Sequence, residues 1–236
     1  MSDWQPKRFW KLATVEPLAD GFTVMLDGRS VKTPAKAALV LPTKAMAEAV
    51  AVEWDAQEDK IDPGTMPVTR GANAAIDKVR TQRAEVVDLL AEYGDSDLLC
   101  YRAAGPEGLV ANQKAAWDPM LDWAAATFEA RLRVGEGVMH VQQDADVLKR
   151  LYDQVAAFDD FALAAVHDLI SISGSLVLAL AVTHNRLNAQ QSWNFSRIDE
   201  GWQVSQWGED EDALATAEVK RLAFLDAARF YRLTLS

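Results

Sequence analysis

The residues with the clearest potential for chemistry are four consecutive acids, Glu209-Asp-Glu-Asp212, which directly follow Trp207-Gly208. Clustered carboxylates supply the oxygen ligands that Mg²⁺ and Ca²⁺ prefer, although the run lacks the regular ligand spacing of a calcium loop. Acids at the start of a helix predicted from residue 212 would also interact favourably with the helix dipole. A third interpretation is protein recognition, since Trp202 and Trp207 would place large apolar side chains beside these charges. Metal binding, helix capping and protein recognition are therefore the three alternatives.

Other side chains capable of catalysis are few. The three histidines, His140, His167 and His184, have neither the spacing of a helical metal pair nor a neighbouring serine-nucleophile motif. His167 stands beside Asp168 in an otherwise apolar segment, and we predict that it is a hydrogen-bonded core residue. The single cysteine, Cys100, has no nearby histidine and is predicted to be a buried, inert thiol.

The glycines do not form a nucleotide-binding motif. The chain contains neither Gly-x-x-x-x-Gly-Lys nor Gly-x-Gly-x-x-Gly, and Gly135-Glu-Gly137 lacks the third glycine. The sequence thus predicts no catalytic residues, no cofactor and no metal. The alternative is a metal-dependent hydrolase or another enzyme built on Asp95, Asp97 and the acids at 209–212.

Composition narrows the range of partners and compartments. A formal net charge of -11 over 236 residues repels phosphate backbones and anionic lipid headgroups, so we expect no nucleic-acid partner. One cysteine and no visible secretory or transit segment indicate the cytoplasm. The most apolar window, residues 169–182, is shorter than the roughly 20 residues that span a bilayer. It predicts a buried helix and no membrane insertion.

The first part of the chain has the pattern of a small sheet. Phe22, Val24 and Leu26 alternate with less apolar residues and are followed by Asp27-Gly28, a dipeptide typical of a type I′ hairpin. Further extended segments are predicted at 8–15, 31–33 and 38–41. An amphipathic helix should follow from Thr43 and pack on the sheet.

The remainder of the chain has helical periodicity. Two prolines and a glycine in the linker at 61–67 indicate a domain boundary, so we predict an N-terminal α+β domain at 1–65 and an all-helical C-terminal domain at 66–236. The fold class is therefore α+β. The predicted helices of the second part span residues 68–93, 109–130, 144–158, 161–182, 189–198 and 212–233. Within 161–182, Ser171, Gly174 and Ser175 would let a neighbouring backbone approach closely.

Several strings in the sequence resemble the ATP synthase alpha-subunit assembly chaperone family. Together they cover nearly the whole chain, and their combination is specific although each string alone is weak. They are Arg8-Phe-Trp-Lys, Asp27-Gly-Arg-Ser-Val-Lys-Thr-Pro34, Leu41-Pro, Glu53-Trp-Asp-Ala-Gln57, Ile61-Asp-Pro-Gly-Thr-Met-Pro-Val-Thr-Arg70, Asp97-Leu-Leu-Cys-Tyr-Arg102, Trp117-Asp-Pro-Met-Leu-Asp-Trp123, Ser173-Gly-Ser-Leu-Val-Leu-Ala-Leu180 and Trp202-Gln-Val-Ser-Gln-Trp-Gly208.

The resemblance implies the same two-part α+β fold and a function without catalysis. Members of this family hold the new alpha subunit of the F-type ATP synthase before it pairs with beta, shielding the apolar face that beta will cover. The resemblance implies a transient complex with that subunit and a monomeric chaperone, in the mitochondrial matrix for eukaryotic members and in the cytoplasm for a bacterial relative.

The resemblance also implies a binding site near the C-terminus. The functionally important acid of the family, placed shortly after the Trp-Gly pair, corresponds best to Glu211 and next to Glu209. Trp207 and Trp202 are the apolar residues beside it. The sequence departs from the eukaryotic pattern just beyond, where Asp212-Ala-Leu replaces an aromatic and histidine-containing stretch.

Overall fold

The computed structural model describes residues 7–235. The chain forms two compact units and has the predicted α+β fold. The first unit extends to Arg83 and also includes residues 159–165 and 229–235, and the second comprises residues 84–158 and 166–228. No helix within the described residues is both long and apolar enough to span a membrane.

A three-stranded antiparallel sheet opens the first unit, formed by β1 (Ala13–Leu18), β2 (Gly21–Leu26) and β3 (Arg29–Ser30). Leu26 pairs with Arg29, so the connecting turn consists of Asp27 and Gly28 alone. Their φ angles of 47° and 80° are the left-handed values that a type I′ turn requires. The predicted turn is confirmed, whereas its return strand lies at 29–30 and not at 31–33, and the first strand lies at 13–18 and not at 8–15.

Helix α1 (Lys44–Asp55) packs on this sheet. The Thr43 side chain caps it by accepting a hydrogen bond from the amide of Met46 at 3.1 Å. Met46 and Val50 are fully buried on the inner face of the helix. The predicted amphipathic helix and its position on the sheet are confirmed.

The first turn of helix α2 (Pro67–Ala74) is capped by the carboxylate of Glu53, a residue of α1 that is 7% exposed. The two oxygens of Glu53 accept hydrogen bonds from the amides of Val68 and Thr69 at 2.7 and 2.8 Å and from the Thr69 hydroxyl at 2.7 Å. This places a negative charge at the positive end of the α2 dipole. It also fastens α2 to α1, so the first compact unit continues past the predicted boundary at residue 65. As a limit between independently folding domains, that boundary remains a prediction.

The helix predicted over residues 68–93 is interrupted. Helix α2 continues into a π-helical turn at Ala75–Val79, and α3 (Arg83–Ala91) begins after a short turn. The carboxylate of Asp77 in the π-helical turn accepts hydrogen bonds from the Thr33 hydroxyl at 2.7 Å and from the Ala35 amide at 3.0 Å. These bonds hold the π-helical turn against the segment that follows β3.

Distant segments join the first unit through specific contacts. Arg80 and Arg83 form ion pairs with Asp160 at 3.1 and 3.0 Å. The Thr43 hydroxyl donates to the carbonyl of Leu233 at 2.6 Å. These contacts explain why residues 159–165 and 229–235 belong with the N-terminal strands.

The second unit is mostly helical and includes one short parallel pair of strands, β4 (Tyr101–Arg102) and β5 (Gly135–Glu136). Four of the helices predicted after residue 93 are present with ends close to those predicted, namely those at 109–130, 144–158, 189–198 and 212–233. The remaining helices of the chain are α4 (Glu107–Phe128), α5 (Ala145–Ala156), α6 (Asp160–Ser173), α7 (Leu176–Thr183), α8 (Ala189–Ser196), α9 (Ile198–Trp207) and α10 (Glu211–Thr234).

The helix predicted over residues 161–182 is two helices. Gly174 adopts a φ of 73° and ends α6, and Ser175 caps α7 by accepting from the amide of Leu178 at 3.0 Å. Gly174 thus serves to break the helix. A backbone does approach at this point, since the amide of Leu98 donates to the Gly174 carbonyl at 3.0 Å. All residues of α7 are buried.

Glu53→Ala should destabilise the chain by about 3 kcal/mol, because it leaves two buried amides and a hydroxyl without their charged acceptor. Urea unfolding followed by circular dichroism measures the change. Glu48→Ala is the control, since Glu48 lies on the same helix, is exposed and pairs with Lys44 in an i,i+4 ion pair worth less than about 0.5 kcal/mol. Equal effects of the two substitutions would contradict the role assigned to Glu53.

Candidate functional site

The four predicted contact residues lie on α9, on the connection after it and at the start of α10. Helix α9 ends at Gly208, whose φ is 90°. No residue of α9 is buried, and the Trp207 side chain is 80% exposed. Trp202 is half-buried, whereas Glu209 and Glu211 are exposed. Because they are close in sequence, the exposed indole of Trp207 lies near the carboxylates of Glu209 and Glu211.

The capping interpretation applies to part of the acidic run, since Glu211 and Asp212 lie in the first turn of α10, where the helix dipole favours acids, and Asp210 precedes them. Asp210 accepts a hydrogen bond from the amide of Ala213 at 2.8 Å through its side chain, and its carbonyl accepts from the amide of Leu214 at 2.9 Å. Asp210 therefore caps α10. Within residues 7–235, neither Glu209 nor Glu211 forms an ion pair, and both carboxylates are open to solvent.

The metal interpretation lacks a suitable ligand set in the described part of the chain. No three His, Cys, Asp or Glu residues among residues 7–235 lie close enough together to hold a metal ion. Asp95 and Asp97, on which the enzyme alternative rested, have separate environments. Asp95 is partly exposed and lies 3.4 Å from the His140 ring, while Asp97 is fully buried.

The Asp97 carboxylate joins two segments of the second unit. It accepts hydrogen bonds from the amide of Leu99 at 3.0 Å, the Ser175 hydroxyl at 2.8 Å and the amide of Val177 at 2.9 Å. Burial raises the pKa of Asp97 from its ordinary 3.8 to about 6, against the opposing effect of these hydrogen bonds. Asp97 acts as a structural cap for α7 and the turn at 98–100.

Two buried polar side chains hold α4 against the segments around α9. Gln113, 1% exposed, accepts from the amide of Ala103 at 2.9 Å and donates to Asp199 at 2.6 Å. The Trp117 indole donates to the carbonyl of Phe195 at 2.8 Å. These bonds fix the start of α9 on the face of α4.

Two open cavities lie along the line where α9 packs on α4. One, of about 380 Å³, is lined by Pro106, Leu109, Asp199, Trp202 and Trp207, among others. The second, of about 610 Å³, is bounded by Ala115, Ala116, Phe195, Ile198 and Trp202 with neighbouring polar residues. We call the two together the Trp202 groove, because Trp202 borders both.

The Trp202 ring rests on Gly108 in the first turn of α4. A Cβ atom at Gly108 would lie 2.5 Å from Cη2 of Trp202, far closer than atoms can approach, so any other residue would displace the ring. Sequence reasoning missed Gly108, Gln113 and Asp199, since none belongs to a motif. The predicted helix began at residue 109, so Gly108 lay just outside it, and only the structure places Gly108 in the first turn of α4.

The remaining candidates have structural surroundings. Cys100 is buried as predicted, and burial raises the pKa of its thiol. The core assignment of His167 is wrong, because its side chain is 45% exposed and lies 2.9 Å from Asp168 at the surface. His184 packs edge-on against Trp123 and Phe128.

Comparison with known proteins identifies relatives over most of the chain. The family model described as ATP12 chaperone protein matches residues 7–125. The crystal structure of Atp12 from Paracoccus denitrificans is 46% identical, with a TM-score of 0.94 over 97% of this chain and 98% of that one. An aspartate-to-lysine mutant of the Paracoccus protein matches with the same identity and TM-score over 97% of each chain. The mitochondrial protein atp12 of Schizosaccharomyces pombe is 23% identical over an alignment of 223 positions that covers 88% of this chain and 75% of the relative.

The raised pKa of Asp97 predicts a pH-dependent contribution to stability. Because the folded state binds the Asp97 proton more tightly than the unfolded chain does, this contribution is complete below about pH 4 and is lost as the pH rises through about 6. Between pH 5 and 7.5, wild type should lose about 1 kcal/mol of unfolding free energy relative to Asp97→Asn, which lacks the titrating group. Urea unfolding of both proteins at the two pH values measures it. A constant difference between the two proteins would refute the prediction.

Proposed function

This chain belongs to the ATP12 chaperone family, and we propose that it holds the unassembled alpha subunit of the F-type ATP synthase head until the beta subunit pairs with it. The observation that carries the proposal is the match to this family over most of the chain. In this proposal the protein is a monomer, acts without catalysis, cofactor or metal, and works in the cytoplasm. Nucleic acid and membranes are not among its partners.

We place the client contact at Trp207, Glu209 and Glu211, with Trp202 beside them. An exposed indole next to carboxylates combines a large apolar contact with selectivity for charge. Asp210 caps α10 through its side chain, and the carboxylates of Glu209 and Glu211 form no ion pair within the described residues. Their exposure at the surface supports a role in binding.

The first half of α10 extends this surface. Residues 211–216 are all exposed, and further along the helix Val219 and Leu222 are 68% and 49% exposed. Exposed apolar side chains close to one another are typical of a surface that another protein covers.

Co-expression with the host alpha and beta subunits tests the client. We expect the tagged chain to retain alpha when alpha is expressed alone and to lose it when beta is added, because beta covers the same face of alpha. Pull-down and gel analysis measures the ratio of alpha to chaperone. If alpha is soluble and is not retained, the proposed function is wrong.

Charge reversal tests the site. The double substitution Glu209→Lys and Glu211→Lys should weaken alpha binding at least about tenfold, whereas the loss of the favourable first-turn acid Glu211 should lower the melting temperature by no more than about 2–4 °C. Asp210→Ala removes the cap and should lower the melting temperature by about 2–4 °C. Asp88→Lys is the control, because Asp88 is an exposed acid in α3, remote in sequence from the site. A loss of stability in the double variant that matches its loss of binding would show that these acids serve the fold.

A further inference from the structure

The Trp202 groove has the shape and lining of a docking site for a side chain. Its smaller cavity is bordered by the apolar side chains of Pro106, Leu109, Trp202 and Trp207. Its larger cavity is also bordered by Trp202 and adds the apolar side chains of Ala115, Phe195 and Ile198. Cavities of about 380 and 610 Å³ are large enough for one or two side chains of a peptide.

The charges along α9 and the start of α10 are predominantly negative. Residues 198–219 contain seven acids and no lysine or arginine, and although Glu200 and Glu218 pair with the flanking Arg197 and Arg221, the other five form no ion pair within the described residues. Among the side chains that line the two cavities, Asp199 is the charged one, and its second oxygen is not used by the bond to Gln113. The groove is therefore apolar at its floor and negative at its rim.

The charge pattern decides between possible occupants. A second copy of this chain carries a net charge of -11 and would be repelled from an acidic rim. An acidic or uncharged segment would leave the rim carboxylates without counter-charges. A basic residue beside an apolar one satisfies both parts of the surface.

We propose that the Trp202 groove binds a client segment in which an apolar side chain enters the cavity beside Trp207 while an adjacent lysine or arginine pairs with the acids of the rim. This inference rests on the proposed function, since it specifies which kind of alpha-subunit segment the chaperone recognises. Gly108 is the residue that keeps the groove open, because it lets the Trp202 ring lie against the start of α4.

Peptide arrays supply the probe. Overlapping 15-residue peptides from the host alpha and beta subunits are incubated with the purified chain. We expect the retained peptides to carry Lys or Arg within two residues of Leu, Ile, Phe or Met. The best peptide is then labelled for fluorescence anisotropy, where replacing its basic residue by Glu, or raising NaCl from 50 to 500 mM, should weaken binding at least about tenfold.

Two variants connect this selectivity to the groove. Gly108→Ala should weaken peptide binding at least about tenfold, because the added methyl group displaces Trp202. Glu48→Ala is the control, since Glu48 is exposed on α1 and lines neither cavity, and it should change binding less than twofold. If Gly108→Ala impairs folding by circular dichroism, Trp207→Ala replaces it, because the 80% exposed ring is not needed for the fold.

The outcomes separate this inference from the proposed function. Retention of acidic or uncharged peptides, salt-independent binding, or equal binding by wild type and the groove variant would overturn the groove assignment even if alpha co-purifies. Failure of alpha to co-purify would overturn the proposed function. In that case the groove assignment would still stand if basic-apolar peptides from either subunit bind and depend on Gly108.

Discussion

The hydrogen bonds of the buried Asp97 carboxylate organise the second unit. They satisfy the backbone amides at the start of the turn at 98–100 and at the start of α7, which would otherwise have no acceptor. One oxygen receives the Leu99 amide and the Ser175 hydroxyl, and the other receives the Val177 amide at the start of α7. Helix α7 is buried at every residue, so water cannot replace these acceptors. Burial raises the pKa of Asp97, because the charged carboxylate is less favourable away from water. In return, its hydrogen bonds fix the position of α7, the most apolar helix.

Because the interior is held by these bonds, the surface helix α9 can leave its side chains exposed without loss of the fold. The residues between Asp97 and Trp117 connect the capped turn to α4, where Arg102 pairs with Asp118 at 2.8 Å and stacks over Trp117. Trp117 and Gln113 then hold α9 in place. Because α9 is positioned by only one face, its remaining side chains stay available, which is the arrangement that a transient binding surface needs.

The acidic run illustrates how one sequence feature divides into different roles. Asp210 is used by the fold, whereas Glu209 and Glu211 on either side remain unpaired within the described residues. Consecutive residues at a helix start point in different directions, so only the capping position meets the free amides. A chaperone that must release its client gains from such contacts, since exposed charges set specificity and association rate more than affinity.

The sequence by itself determined the type I′ turn at Asp27-Gly28, the α+β class and the family, and it located most helical segments, although it missed the breaks within 68–93 and 161–182. Turn conformation and amphipathic periodicity are local properties that a short window of residues encodes. Only the tertiary structure decided that Asp97 caps a helix 78 positions away from it, that Gln113 reaches Asp199 across 86 positions, and that Trp202 rests on Gly108. These contacts join segments that no local pattern connects, because they exist only after the helices have packed and excluded water from between them.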